Sequence, residues 1–167
     1  MTTPLTSTLK APAQGLSRAM VLLFAFCCGA IVANLYYAQP IVELIAPDLG
    51  LSSSNASLVV SLTQIGYALG LLFLVPLSDL LENRKLMIAT AVVAGASLLA
   101  AATLQHANGF LLVSLVIGFS SVSVQMLIPL AAHLAPEQSR GQVVGNIMSG
   151  LLLGILLARP LSSLVAD

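Results

Sequence analysis

The chain has 167 residues, 58% hydrophobic and 7% charged, with six basic and six acidic side chains and no net formal charge. Soluble domains carry roughly 25% charged residues, so this composition excludes a water-covered globule and points to lipid as the solvent. Zero net charge also gives no bulk attraction to nucleic acid, and no such partner is expected.

Residues 1–18 are polar and contain Lys10 and Arg18. They are expected to form a cytoplasmic tail ahead of a transmembrane domain over residues 19–167. The apolar run from Met20 continues for more than twenty residues. A cleaved signal peptide has an apolar core of roughly 7–15 residues, so a retained anchor is expected. About 20 apolar residues are needed to cross the ~30 Å hydrocarbon core. Five segments meet that length, at residues 20–46, 58–77, 86–105, 110–135 and 143–165. Turn chemistry separates them: Pro47-Asp48-Leu49-Gly50, Glu82-Asn83, Ala107-Asn108-Gly109 and Pro136 to Gly141. Asn55 or Ser57 is expected to cap the second helix, and Asn108 the fourth. The segments are twice the length of a ~10-residue barrel strand and lack strict alternation, so strands are excluded.

Lys and Arg alternate from loop to loop. Lys10 and Arg18 precede the first span, Arg84 and Lys85 follow the second, and Arg140 follows the fourth. The other two loops have none. The basic side is expected to be cytoplasmic, which puts the N-terminus inside a multi-pass membrane protein.

The first and fourth spans share a pattern. Gly29, Pro40, Pro47 and Asp48 recur as Gly118, Pro129, Pro136 and Glu137, all at one offset (118 − 29 = 89). The second and fifth share another, since Gly66, Gly70, Pro76, Leu77 and Ser78 recur as Gly150, Gly154, Pro160, Leu161 and Ser162 (150 − 66 = 84). Spans three crossings apart run in opposite directions, so this is an inverted repeat of three helices. Such repeats mark secondary transporters, whose sites lie near the bilayer midplane at the repeat interface. A complete unit would have six spans, and this chain supplies five.

The loop after span two reads Pro76-Leu-Ser-Asp79-Leu-Leu-Glu82-Asn83-Arg84-Lys85. With Asn34-Leu-Tyr-Tyr-Ala-Gln-Pro40, with Gly150 to Pro160 and with the three-plus-three repeat, it resembles the N-terminal half of a major facilitator superfamily transporter. Members of that family have twelve or more spans in two six-helix halves. Their signature in this loop is Gly-x-x-x-Asp-basic-x-Gly-basic-basic. Asp79 matches the acid and Arg84 the last basic position, while Val75, Leu80, Glu82 and Asn83 depart from it. The finer likeness is to bacterial efflux-type members of the inner membrane. The fold class expected is therefore an all-α membrane protein, an incomplete six-helix half with about five spans.

The resemblance implies a conformational gate. Asp79, with Arg84 and Lys85, would receive a helix of the missing C-terminal half and hold one state of the transport cycle. Without the family, the same charges read as interfacial groups that set topology. The resemblance also puts spans one and four at a central cavity and spans two and five at the border with the other half.

Polar side chains in lipid are costly unless they face the bundle or a cavity. Asn34, Tyr37 and Gln39 in span one, Gln64 and Tyr67 in span two and Gln125 in span four are candidate contacts for an unknown small-molecule substrate. They read equally as interhelical hydrogen bonds. Arg159 in span five is the costliest residue, at about 2.5–3.5 kcal/mol mid-helix and less near an end. It is expected to snorkel or to form a buried ion pair with Glu43, with a substrate or gate role as the alternative. Gly66, Gly70, Gly150 and Gly154 are expected to be packing positions where backbones approach closely, and by the resemblance a sliding surface too. Cys27 and Cys28 read as small buried side chains, and His106 and His133 share no ligand spacing, so no metal or cofactor is expected. No His-Glu-x-x-His, Gly-x-Ser-x-Gly or phosphate-loop pattern is present, and an enzyme is not expected.

Transport of a small molecule by alternating access, with proton-coupled efflux as the finer expectation, is the leading reading. The chain itself is expected to be a truncated, inactive portion. A small five-span scaffold without transport activity is the alternative.

Overall fold

The structure, a computed structural model, describes residues 16–166, apart from the side chains of residues 43, 53–55, 165 and 166. Most of the expected tail over residues 1–18 lies outside the described residues. The five apolar segments fold as five helical rods, and no strand forms among the described residues. Each rod is long and apolar enough to cross a membrane.

Two rods are broken. The first consists of α1 (Arg18–Ala33) and α2 (Ala38–Ile45), separated by a turn at residues 34–37. Pro40 has no N–H to offer the carbonyl of Tyr36. The chain tightens ahead of it, with N–H bonds reaching back three residues from Asn34, Leu35, Tyr36 and Gln39. The second rod, α3 (Ser53–Leu80), is unbroken and carries Pro76 in its last turns. The third is α4 (Asn83–Thr103).

The fourth rod divides into α5 (Ala107–Ser120) and α6 (Ser123–Leu134). Ser120 and Ser121 donate their hydroxyls to the carbonyls of Val116 and Ile117, competing with the helical ladder just where it stops. The fifth rod, α7 (Arg140–Ala166), follows a short 3₁₀ turn at Glu137–Ser139.

The caps differ from those expected. Asn55 and Ser57 fall inside the first turn and a half of α3, which starts at Ser53. The Asn55 side chain lies outside the described residues. Asn108 is likewise inside α5, and His106 stands at its N-cap position. Both helices begin earlier than the apolar runs do, because polar residues extend a helix into the interface as readily as lipid-facing ones. Between the first and second rods, Gly50 takes φ of 68°. There Leu51 N–H bonds to Ala46 O at 2.8 Å and Gly50 N–H to Pro47 O at 3.1 Å, a left-handed helix stop that favours glycine.

Packing pairs the rods as the repeat requires. The two most extensive contacts join α1 to α7 and α3 to α5. A methyl group on Gly29 would stand 2.6 Å from Gly150 O and 3.5 Å from the Cα of Gly154. On the other side, one on Gly70 would stand 2.5 Å from Phe119 O, and one on Gly118 would overlap the backbone of Thr63 and Tyr67. Adding 89 to Gly29 gives Gly118, and subtracting 84 from Gly150 and Gly154 gives Gly66 and Gly70. The two crossings are thus images of each other under the inverted repeat.

The stripe on α7 is packed inside the bundle. Gly150 abuts Ala25, Gly154 abuts Gly29, and Ala158 and Ser162 are buried. Gly66 and Gly70 likewise press on the backbone of Leu115 and Phe119. These glycines serve close contacts between the described rods.

The fourth rod is the axis, with 56% of its most apolar window buried against 11% for the third, which rides outside. Its α6 half meets the first and fifth rods in the main core, where Cys28, Ala131 and Ile147 are fully buried. Large side chains such as Leu22, Phe26, Leu72 and Leu99 face outward, as a lipid-solvated surface demands.

Gly118→Ala is expected to lower stability in detergent by about 1–3 kcal/mol, because backbone must move to admit the methyl. Gly95→Ala, where nothing lies within 4 Å, is expected to raise it by about 0.5–1 kcal/mol. Thermal unfolding of the two purified variants checks the difference in sign.

Candidate functional site

The breaks in the first and fourth rods place polar groups inside an otherwise apolar bundle. Helix ends leave carbonyl and amide groups without intrahelical partners, and lipid cannot satisfy them. The side chains that gather at the breaks do so.

At the first break, Tyr37 is half-buried, and its carbonyl accepts a hydrogen bond from the Ser162 hydroxyl at 2.5 Å. Two residues on, Gln39 Oε1 accepts from Nη2 of Arg159 at 2.5 Å. α2 is therefore tied to α7 by two bonds from one face of α7. The expected partner of Arg159 was Glu43, whose side chain lies outside the described residues. Gln39 takes the bond, one turn before Glu43 on the same face of α2. Asn34 is half-buried in the turn and makes no side-chain hydrogen bond among the described residues.

At the second break, Gln125 Nε2 donates to the Tyr67 hydroxyl at 2.9 Å, linking α6 to α3. Gln64 shares a face with Tyr67 by spacing but is exposed and takes no part in this bond. Ser121, spaced four residues from Gln125, is instead turned inward and buried. A further pair escaped the sequence reading. Thr90 of α4 and Ser123 of α6 are both buried and share a hydrogen bond at 2.6 Å. The signal was present as the hydroxyl run Ser120-Ser121-Val122-Ser123, which is rare mid-span, though its partner on the third rod had no pattern of its own.

A cleft of about 800 Å³ opens between the first and second rods at the Gly50 end. Gln39, Val42, Ala46, Ser57, Val60 and Ser61 line it. Gln39 thus touches both the cleft and Arg159.

The loop at the opposite end holds Asp79, Arg84 and Lys85, all exposed. Lys85 pairs with Glu82 at 2.9 Å, and no ion pair joins Asp79 to a cation among the described residues. The spacing explains this. Lys85 and Glu82 are three apart across the start of α4, whereas Asp79 belongs to the last turn of α3. The Asn83 Oδ1 atom is buried with no hydrogen-bond partner.

Comparison with known proteins settles the family. The model of the Major Facilitator Superfamily matches residues 20–167. The chain belongs to the Major Facilitator Superfamily. It is 46% identical over 156 residues to the "Putative uncharacterized transporter YgaY" of Escherichia coli K12, covering 93% of this chain and 40% of that one. It is 37% identical over 158 residues to the "Probable transporter SCO4007" of Streptomyces coelicolor, covering 95% and 37%. It is 29% identical over 150 residues to the "Inner membrane transport protein YnfM" of Escherichia coli K12, covering 88% and 36%. The chain spans about two fifths of the length of these relatives. No solved structure matches it. Membership makes this a multi-pass membrane protein of a transporter family, and the five rods are the expected portion of a superfamily half.

Within that family frame the described polar contacts fall into four groups. Two tie the broken rods to their glycine-packed partners, one joins α4 to α6, and one lies on the exposed loop. A double-mutant cycle with Tyr67→Phe and Gln125→Ala, read by unfolding in mixed micelles, is expected to give a coupling of about 0.6 kcal/mol and not above ~1.7 kcal/mol.

Proposed function

We propose that this chain forms the larger part of one rocking half of a secondary transporter that exports a small molecule across the inner membrane, driven by protons. The observation that carries the reading is the pair of broken rods, each pressed by glycine contact against an unbroken one and related by the inverted repeat. A pre-broken helix bends at its turn with little loss of hydrogen bonding. A glycine crossing keeps its partner in step, so each pair moves as one body. Sites in such folds lie where broken helices meet at the repeat interface, and the cleft at Gln39 adjoins the first break.

The loop at Asp79 is the gate in this scheme. Among the described residues Asp79 and Arg84 have no ion-pair partner, and Asn83 has a spare buried acceptor, all between residues 79 and 84. Asp79 and the Asn83 acceptor are disposed to receive the N-terminus of a helix from a second half, where a carboxylate is worth about 0.3–1 kcal/mol or more. Making and breaking that contact would bias the two states of the cycle. The basic loops put this end in the cytoplasm and the Gly50 end outside.

A half that rocks needs a second half to rock against. The 167-residue chain alone, reconstituted in liposomes, is expected to show no uptake or export above empty vesicles for a panel of small molecules. Co-production with the unmatched remainder of the Escherichia coli relative is expected to restore export that a protonophore abolishes. In that assembly Asp79→Asn is expected to cut export at least tenfold at unchanged protein level, measured by efflux of labelled compounds. Robust transport by the chain alone would overturn the half-transporter reading.

A further inference from the structure

The fourth rod is covered on a face where the first is bare. Leu111, Leu115, Phe119 and Val122 follow helical spacing along α5 and the turn after it, and each is half-buried or buried. Subtracting 89 gives Leu22, Phe26, Ala30 and Ala33 on the first rod. There Leu22 is 69% exposed and Phe26 73%, whereas Val122 is fully buried. The third rod makes the difference. Leu86 of α4 shares a buried cluster with Val122, and Leu74 and Leu77 of α3 pack against it. The counterparts of Val122, Leu74 and Leu77 are Ala33, Ala158 and Leu161 (122 − 89 = 33, 74 + 84 = 158, 77 + 84 = 161). All three line an apolar groove of about 420 Å³ between α1 and α7, with Leu22, Phe26 and Ala30 further along it. This groove is the seat that α4 fills in the first copy.

A polar mark accompanies the apolar one. One turn past Leu86, Thr90 of α4 shares its hydrogen bond with the buried Ser123 of α6 at 2.6 Å. Subtracting 89 from Ser123 gives Asn34. Asn34 is half-buried and makes no side-chain hydrogen bond among the described residues. Its amide offers two donors and an acceptor, and lipid satisfies neither kind. An uncovered apolar face and an unpartnered amide thus adjoin each other at Ala33 and Asn34. At the matching positions, Val122 and Ser123, the first copy has both an apolar cover and a hydroxyl partner, and α4 supplies the two together.

We propose that the groove between α1 and α7 receives a further apolar membrane helix, packed as α4 is packed in the first copy, whose uncharged hydroxyl or amide side chain one turn inside its start bonds to Asn34. Asn34 is then a contact between helices and does not face cargo. α4 starts beside the end of α3 and runs back along it, so the added helix starts at the Leu161 end of the groove and runs antiparallel to α7. The Escherichia coli relative extends well beyond the region matched, since this chain covers 40% of it, and the helix is expected from that further portion.

The test fuses the full chain, with Cys27 and Cys28 replaced by alanine, to the portion of the Escherichia coli relative that follows the match. One cysteine replaces Asn34, and a second is walked along the first apolar span of the added portion. Under copper phenanthroline in membranes, N34C is expected to form a disulfide with a position about one turn inside that span. F26C is expected to link to a deeper position. L23C is expected to link to none, since Leu23 and its counterpart Leu112 are both exposed. No link from N34C, or links from L23C of equal yield, overturns the proposal. So does a link through N34C between two copies of the chain in preference to the added span, which would assign the groove to self-association. Labelling of N34C in the fusion by a membrane-impermeant thiol reagent also overturns it, because Asn34 would then face a water-filled pathway. If the cysteine variants fail to fold, N34A is read by unfolding in mixed micelles. One interhelical bond corresponds to about threefold in the folded-to-unfolded ratio, so N34A is expected to lower that ratio about threefold in the fusion and to leave it unchanged in the chain alone. N34S is expected to retain most of it. Equal losses in fusion and chain overturn the proposal. Export by the fusion is measured alongside: its absence with the N34C link intact counts against the transport reading alone, and export without the link counts against this inference alone.

Discussion

Two backbone-to-backbone crossings hold this bundle together. Lipid tails are as apolar as leucine, so burying apolar side chains between membrane helices gains little, and association depends on close packing. Gly29 against Gly150 and Gly154 supplies one crossing, and Gly118 with Gly66 and Gly70 the other. Both distances leave no room for a Cβ. Everything else is arranged around these contacts. The fourth rod sits at the centre because it makes one crossing with α5 and joins the other pair through α6. The third rod, without such a crossing, stays at the edge and packs through Leu86, Thr90 and Ser97.

The same economy governs polar groups. Breaking a helix in lipid exposes amides and carbonyls that water cannot reach. This chain breaks two helices and meets the cost locally, through shortened ladders at residues 34–37 and through serine hydroxyls that bond back at 120 and 121. Each break is then tied across to the rod its glycine already touches, by Ser162 and Arg159 on one side and by Tyr67 on the other. The ties are few and individually weak. They fix where the broken halves point, while the glycine crossings fix which rods travel together.

Much of this was legible beforehand, for identifiable reasons. Five spans follow from apolar length alone, since the hydrocarbon core has a fixed thickness. The inverted repeat was readable because Gly and Pro are chosen for backbone reasons that outlast drift in the side chains around them. The breaks were not, because Asn34 to Tyr37 and Ser120 to Ser123 read as ordinary interruptions in a long apolar run. Pro40 and Pro129 each remove one backbone N–H, which does not locate the turn several residues earlier. The Lys85–Glu82 pair displaced the expected company of Asp79, since charges at a helix start answer to local spacing.

Length, apolar content and the repeated glycines and prolines were enough to establish a membrane bundle of five spans with a repeated helix pattern, because each is set by the bilayer or by the backbone. Which side chains meet could not be read that way. Arg159 reaches Gln39, 120 positions away, and Thr90 reaches Ser123 across 33. Such partners depend on the depth and rotation of each rod. Those are settled only when two glycine faces lock together and carry the polar residues on the remaining faces with them.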